Sequence, residues 1–373
     1  MSLASTPRRE HRKRGRVVVA MSGGVDSSAA AALLVKQGYE VIGLMMRLWS
    51  EPSAGPSQGL NRCCTPHQMA DARRVAAHLD IPFYVLDAQD HFYNVVVRYF
   101  VDEHIAGRTP NPCIECNRQV RFSHLLDRAL TMGADYLATG HYARVHQRGS
   151  EFELLRARDA SKDQSYVLHV LGQQELARVM FPVGDYTKSE ARDLARQAGL
   201  PVAEKSESMD LCFLADGDYR RFLRETAGQA IEPGPVLSQS GQEVGQHSGL
   251  ANYTIGQRKG LGLSLGRPVY VLAKDNSRNA LIVGDAGQLE RSSLKVARTN
   301  WTSGTPPTEP IPVQVKIRYG ANAVPAFVTA TDQSSAEVRF DSPVKSVTAG
   351  QAAVFYDDDR CIGGGIICDE ELE

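Results

Sequence analysis

Val17-Val18-Val19-Ala20-Met21-Ser22-Gly23-Gly24-Val25-Asp26-Ser27-Ser28 runs an apolar tetrad into a small polar loop and then into a helical stretch that continues to Gln37. Four consecutive apolar residues, three of them β-branched, predict a strand buried on both faces, the habit of parallel sheets. The loop has the parts of a phosphate cradle. Glycines let backbone N–H groups approach an anion closely, hydroxyls add donors, and a following helix N-terminus adds positive potential. The Lys that follows the glycines in the common nucleoside-triphosphatase loop is missing, which argues against that class. An isolated Gly-Gly pair would read as an ordinary strand-to-helix turn; the buried strand before it and the helix after it point instead to an anion site.

Outward from this loop the βαβ rhythm continues. Val41 to Met46 reads as a strand, His67 to Leu79 as a helix leading to the strand Phe83 to Leu86, and Arg121 to Met132 as a helix leading through Gly133 to the strand Tyr136 to Thr139. These alternations predict an α/β fold with a doubly wound parallel-sheet nucleotide-binding domain over residues 16–207. The Ser-, Gly- and Pro-rich stretch from Ser50 to Pro66 reads as a lid-like loop near the carboxyl ends of the strands. A compositional change beyond Glu204 marks a small connecting domain, 208–283, and from about Tyr270 short alternating segments separated by turn residues predict a C-terminal antiparallel β-barrel, assigned to 284–373. Before the first strand lies a basic arm, 1–15, with Arg8, Arg9, Arg12, Lys13 and Arg14; a solvated tail and an RNA-touching arm both fit it.

The bulk numbers agree with a folded, multidomain chain: 373 residues, 42% apolar, 23% charged, and no apolar run of bilayer length. A cytoplasmic protein with no membrane partner is expected. The net charge of -1 does not advertise nucleic-acid binding, although a basic groove can hide inside a balanced total. Seven cysteines without a secretory pattern do not suggest a disulfide scaffold, so reactive or metal-bound thiols become the question. Cys113 and Cys116, in Asn111-Pro112-Cys113-Ile114-Glu115-Cys116-Asn117, and Cys212, in Met209-Asp210-Leu211-Cys212-Phe213, are the candidates. Cys116 is expected just ahead of a helix starting near Arg118, where helix potential favours the thiolate. A half zinc site at Cys-x-x-Cys and a merely buried Cys212 remain open on the residues alone.

The run Ser22 to Ser28 resembles the signature loop of the ATP pyrophosphatases, which split ATP into AMP and pyrophosphate. That resemblance implies ATP contacts at Ala20, Met21, Ser22, Gly23, Gly24, Val25, Asp26 and Ser27, with Asp26 near magnesium and the phosphates. Taken in order, further stretches resemble the bacterial-type tRNA-specific 2-thiouridylase family: Gly43-Leu44-Met45-Met46, Thr109-Pro110-Asn111-Pro112, Cys116-Asn117, Ala138-Thr139-Gly140-His141-Tyr142, Ser161 to Tyr166, Leu211-Cys212-Phe213, Gly256-Gln257-Arg258-Lys259-Gly260, Arg318-Tyr319 and Gly350-Gln351. The likeness runs from Val17 to about Tyr356.

By this resemblance the chain is expected to replace the C2 oxygen of wobble uridine 34 with sulfur. Adenylation turns a poor leaving group into AMP, which is why the reaction needs cleavage at the α-phosphate. Cys212 is implied as persulfide carrier, Cys116 as the nucleophile that forms a disulfide with it or frees hydrosulfide, and a persulfide-donating sulfur carrier protein as partner. Met46 and Gly140 are implied in ATP binding, Asn111, Pro112 and Cys113 at the target base, and His141, Lys162, Asp163, Gln164, Arg318, Tyr319 and Gln351 against tRNA, which the small central domain, 208–283, is also implied to contact. Many members have Asp where this chain has Cys113, so Cys113, Cys116 and Cys212 are also a candidate ligand set for a [4Fe–4S] cluster. Two other classes remain: a small-molecule adenylating ligase, which needs neither Cys116 nor Cys212, and a non-catalytic RNA-binding protein with structural zinc.

Overall fold

The computed structural model describes residues 14–51, 65–205, 211–228 and 231–369. The basic arm as far as residue 13, most of the lid-like stretch with Cys63-Cys64, and Met209-Asp210 lie outside the described residues.

Five parallel strands form the first sheet in the order β3-β2-β1-β4-β7: Phe83–Asp87, Glu40–Arg47, Arg16–Ala20, Tyr136–Ala138 and, last, Val179–Met180. Val17, Val18 and Val19 are 0% exposed, as the unbroken apolar run requires. Their side chains alternate between two cores. Val17 and Val19 meet Ala31 and Leu34 of helix α1 (Val25–Lys36) and Ala72 and Val75 of the helix Pro66–His78, while Val18 meets Phe122, Leu125 and Ala129. Helices therefore cover both faces, and the strand order reverses between β1 and β4: β2 and β3 are added on one side of β1, β4 and β7 on the other. Ligands of such sheets bind in the crevice outside that reversal, where residues 21–24 and Gly140 lie.

One helix starts earlier than expected. Residues 112–131 are helical throughout, with Pro112 at the first turn and the Asn111 side chain accepting the Cys113 N–H at 3.1 Å. Proline has no N–H to lose there and asparagine is a good cap, so Pro-Cys inside a loop-like stretch is a helix start. The turns over Cys116–Leu125 are of the wide π type.

The middle sheet has the order β10-β11-β8-β9: Tyr270–Asp275, Ala280–Gly284, Gly234–Ser238 and Glu243–His247. Tyr270 to Val283, whose alternation resembles that of the barrel segments, pairs here and not with the barrel. The barrel strands are β12 (Glu290–Trp301), β13 (Ile311–Lys316), β14 (Val324–Ala330), β15 (Ala336–Lys345), β16 (Ala352–Asp357) and β17 (Arg360–Ile367). They run β12-β15-β14-β13-β16-β17, and β17 pairs back to β12, closing six antiparallel strands around Val296, Val315, Val328, Val338 and Phe355. Closure leaves no open edge within the ring. A hairpin from the first domain, β5 (Ala143–Arg148) and β6 (Glu151–Arg156), adds outside β17 through Leu155↔Arg360 and Leu154↔Cys361.

Candidate active site

Helix α1 begins at Gly24 with no side-chain cap, so its first N–H groups face the loop. Gly23 has φ +70, and a Cβ on it would lie 2.4 Å from Gln68 O; glycine is required twice over. Gly140, after β4, presses on the loop so closely that a Cβ would sit 2.6 Å from Ser27 N. The hydroxyls are partly spent on the loop itself. Ser28 Oγ donates to Gly24 O at 2.8 Å, and Ser27 Oγ accepts from Ser22 N at 3.2 Å. Ser28 thus braces the loop, which is pinned further by Met21 N donating to Leu44 O at 2.9 Å.

Two lysines that no local pattern announces complete this corner. Lys188 Nζ lies 2.7 and 2.8 Å from the Asp26 oxygens, and Tyr142 OH donates to Asp26 Oδ1 at 2.8 Å. Lys188 sits in the first turn of the helix Lys188–Gln197, where its backbone N–H donates to Asp159 Oδ2 at 3.0 Å. Lys205 Nζ donates to Gly23 O at 3.0 Å and to Asp71 Oδ2 at 2.6 Å. Burial pushes the Asp71 carboxyl up, but the Lys205 and Arg74 hydrogen bonds outweigh it and hold it below the usual value. The Asp26 carboxylate is therefore neutralised by the chain itself, through the Lys188 ammonium.

Cys113 is exposed, at the second position of its helix, and Cys116 is one turn further in and 6% exposed. The expectation of Cys116 ahead of the helix fails for that reason, and helix-terminus potential falls on Cys113. Cys116 belongs to an apolar cluster with Val120, Phe213 and Leu214, and Cys212 packs against the same cluster. Residues 96 apart in sequence are so brought to one place, and the five described cysteines carry no disulfide. Met46, at the end of β2, touches both this cluster and the core under the sheet. Among the described residues no three His, Cys, Asp or Glu side chains are arranged to hold a metal ion. Among the described residues Cys113, Cys116 and Cys212 therefore form no [4Fe–4S] ligand group, and Cys113 and Cys116 belong to no zinc site.

The barrel clamps this helix from two sides. Gln351 Nε2 donates to Thr109 O at 2.7 Å and Thr109 N donates to Ala349 O at 2.9 Å, fixing the segment that leads into Asn111. Arg298 of β12 meets Glu115, between the two cysteines, at 2.9 Å, and Glu115 is 3% exposed. Glu115, Arg298, Lys188 and Lys205 carry no sequence signal of their own. Tyr142 lies in a stretch already singled out.

Of the residues expected against tRNA, Arg318 and Tyr319 lie on the barrel, with Tyr319 44% exposed, and Lys162 sits in a turn. His141 and Asp163 face inward. His141 is 6% exposed among Phe122 and Phe181, its Nδ1 2.7 Å from Thr139 Oγ1 and its Nε2 3.2 Å from Arg121 Nη1; burial, helped by Arg121, holds its pKa well below the usual value. Asp163 accepts from Ala157 N, Ser165 N and Ser165 Oγ at 2.8–3.1 Å, and Gln164 Oε1 accepts from Tyr142 N at 2.9 Å. In this conformation these two shape the loop beside Tyr142, and their side chains are committed to the protein.

The chain matches the family model described as tRNA methyl transferase HUP domain over residues 15–216, that of the tRNA methyl transferase PRC-barrel domain over 220–285, and that of the aminomethyltransferase beta-barrel domain over 291–367. It is 47% identical to tRNA-specific 2-thiouridylase MnmA of Roseiflexus castenholzii over 368 residues, spanning 94% of this chain and 99% of that one. The MnmA proteins of Chloroflexus aurantiacus, 48% identical over 95% of this chain and 99% of theirs, and of Moorella thermoacetica, 48% over 94% and 98%, are as similar.

Proposed function

The chain belongs to the tRNA-specific 2-thiouridylase family, and from that premise we propose that it exchanges the C2 oxygen of uridine 34 in tRNA for sulfur at the expense of ATP, in the cytoplasm. The observation that carries the reading is the meeting of Cys116 and Cys212 in one apolar cluster whose neighbour Met46 also packs on the core beneath the phosphate loop. Methyl transfer, the activity in the names of two matching domain families, is set aside because the relatives matched over nearly the whole chain are 2-thiouridylases.

Ser22 to Ser27, the N-terminus of α1 and the Lys188 ammonium would hold the pyrophosphate of ATP, and Asp26 would hold a magnesium ion, which would supply charge neutralisation of the phosphates. The uridine C2 oxygen attacks the α-phosphorus, pyrophosphate leaves, and C2 carries an adenylate. The terminal sulfur of a Cys212 persulfide attacks C2 and AMP departs with the former C2 oxygen. Cys116 then attacks Cys212 Sγ: the S–S bond of the persulfide breaks, the sulfur stays on C2, and a Cys116–Cys212 disulfide forms, which a thiol reductant must open. A sulfur carrier protein reloads Cys212. Asn111, Pro112 and Cys113 border the base, and the barrel contributes Arg318 and Tyr319 to the RNA.

The test is to incubate the protein with ATP, a persulfide-loaded donor and unmodified tRNA, then to weigh the anticodon nucleoside and measure pyrophosphate. Sulfur-for-oxygen exchange at uridine 34, lost in Cys116→Ser and Cys212→Ser, is the expected result. Pyrophosphate release with an unchanged nucleoside would refute the proposal and favour the small-molecule ligase.

A further inference from the structure

Both chain neighbours of Cys116 are anchored by buried polar groups. Asn117, 3% exposed, donates from Nδ2 to Val167 O at 3.1 Å within the first domain. Glu115, equally buried, is met from the barrel by Arg298, whose Nη2 lies 2.9 and 3.0 Å from the two carboxylate oxygens. The helix needs such anchors at this point. From Cys116 its turns are of the wide π type, a pattern that is rare because its own hydrogen bonds hold it poorly and that recurs at functional sites.

Arg298 reaches Glu115 at the expense of its own strand. The ladder between β12 and β17 slips between Ala297 and Asn300, so Arg298 stands in a bulge, and its φ of +52 is in the left-handed region that glycine enters freely and arginine does not. A bulge re-aims a side chain, and this one turns the guanidinium toward the first domain, 5.8 Å over the Tyr99 ring. Asn300, just past it, donates to His169 O at 2.7 Å and Leu171 O at 2.9 Å and ties the bulge down. The guanidinium side chain stays 43% exposed while its carboxylate partner is closed off. For stability alone an apolar pair would serve as well without desolvating a carboxylate. A strained backbone and a buried charge meet at one contact, one residue from the thiol, and strain of this kind gathers where a site must be held in shape.

We infer that Arg298 is a positioning residue: through Glu115 it fixes the turn that carries Cys116, so that the thiol is aimed at Cys212 Sγ. The inference rests on the thiolation proposed above and concerns its last step, release of the thiolated base, whereas adenylation uses the phosphate loop. The test follows one turnover of persulfide-loaded protein with ATP and unmodified tRNA. In Arg298→Met pyrophosphate should form within about threefold of the wild-type rate while free 2-thiouridine appears at least about tenfold more slowly; Arg298→Lys, which can still reach Glu115, should recover part of the loss. A barrel that had merely come loose would slow both steps and would not be rescued by lysine. Arg298→Met strands a buried carboxylate and can unfold the chain, so Arg298→Met/Glu115→Gln, which removes that charge, is measured beside it. Iodoacetamide labelling read by peptide mass is independent of the reaction: Cys116, 6% exposed, should be labelled at least about tenfold faster relative to the exposed Cys113 in the double variant than in the wild type. A folded double variant that releases 2-thiouridine at the wild-type rate overturns the role of Arg298. A wild type that makes no 2-thiouridine overturns the thiolation reading, and equal labelling of Cys116 in wild type and double variant then overturns the hold on its turn as well.

Discussion

Adding one methyl group at Gly140 tests whether the fit between β4 and the phosphate loop sets the rate. In Gly140→Ala the new Cβ would stand 2.6 Å from Ser27 N and 2.7 Å from the Asp26 carbonyl carbon, both backbone atoms that no side-chain rotation can clear. Restoring an ordinary contact of 3.4 Å displaces the loop by about 0.8 Å. Overpacking of this kind costs about 1–3 kcal/mol of stability, and a misplacement near 1 Å at a reacting centre costs on the order of 100-fold in rate. The φ of Gly140 is not in the left-handed region, so the collision alone is tested. Thermal melting and steady-state pyrophosphate release in the presence of tRNA separate the two effects. A Gly140→Ala protein with wild-type kcat/KM for ATP would show that the loop does not hold the reacting phosphates in this geometry.

Lys188→Met leaves the Asp26 carboxylate facing the triphosphate without its ammonium; the KM for ATP should rise at least about tenfold and recover partly in Lys188→Arg, while folding loses no more than about 1 kcal/mol because Asp26 is one-third exposed. His104, His141 and His169 are buried and neutral, with pKa values pushed by burial to about 3, well below normal, and to about 4. Below pH 6.5 the unfolded chain takes up protons that the folded chain refuses, so stability falls from there toward pH 4, by roughly 2 kcal/mol each for His104 and His169 at pH 5 and further through His141; equal melting temperatures at pH 7.5 and pH 5 would refute this. Cys113→Ser, at an exposed position outside the Cys116 cluster, should keep thiolation within about tenfold of wild type, whereas Cys116→Ser and Cys212→Ser abolish it, as the anticodon nucleoside mass will report.

Where a strand is buried on both faces or a helix keeps its period, the sequence announces it: Val17 to Ala20, Val41 to Met46 and His67 to Leu79 all stand within a residue or two of their expected places. Three features escape local reading, the last two because their cause is distant. The helix from Pro112 is hidden by a Pro-Cys pair that looks like a loop until Asn111 is recognised as its cap. Cys361-Ile362-Gly363-Gly364-Gly365 looks like a chain break, yet it is β17; Cβ atoms at Gly363 and Gly365 would lie 2.3 Å from Asn300 O and 2.7 Å from Thr299 Oγ1, so the glycines are what let β12 close the barrel. Lys188 is 162 residues from Asp26, and only the fold brings them together. Candidate residues for the loop and the thiols were legible as motifs; the ammonium at Asp26 and the Arg298–Glu115 clamp were not.

The hairpin Ala143–Arg156 gives the growing chain a problem of timing. Its second strand is complete at residue 156, but the strand that covers it begins at Arg360, about 200 residues later. At about 5–20 residues per second, a ribosome leaves that edge bare for roughly 10–40 s, with Leu154 waiting for Cys361. Unpaired edges recruit other strands. A nascent first domain, otherwise able to form its parallel sheet, therefore holds Leu154 and Leu155 unpaired until the last strand arrives, and a product truncated within the barrel is expected to self-associate more than the full chain.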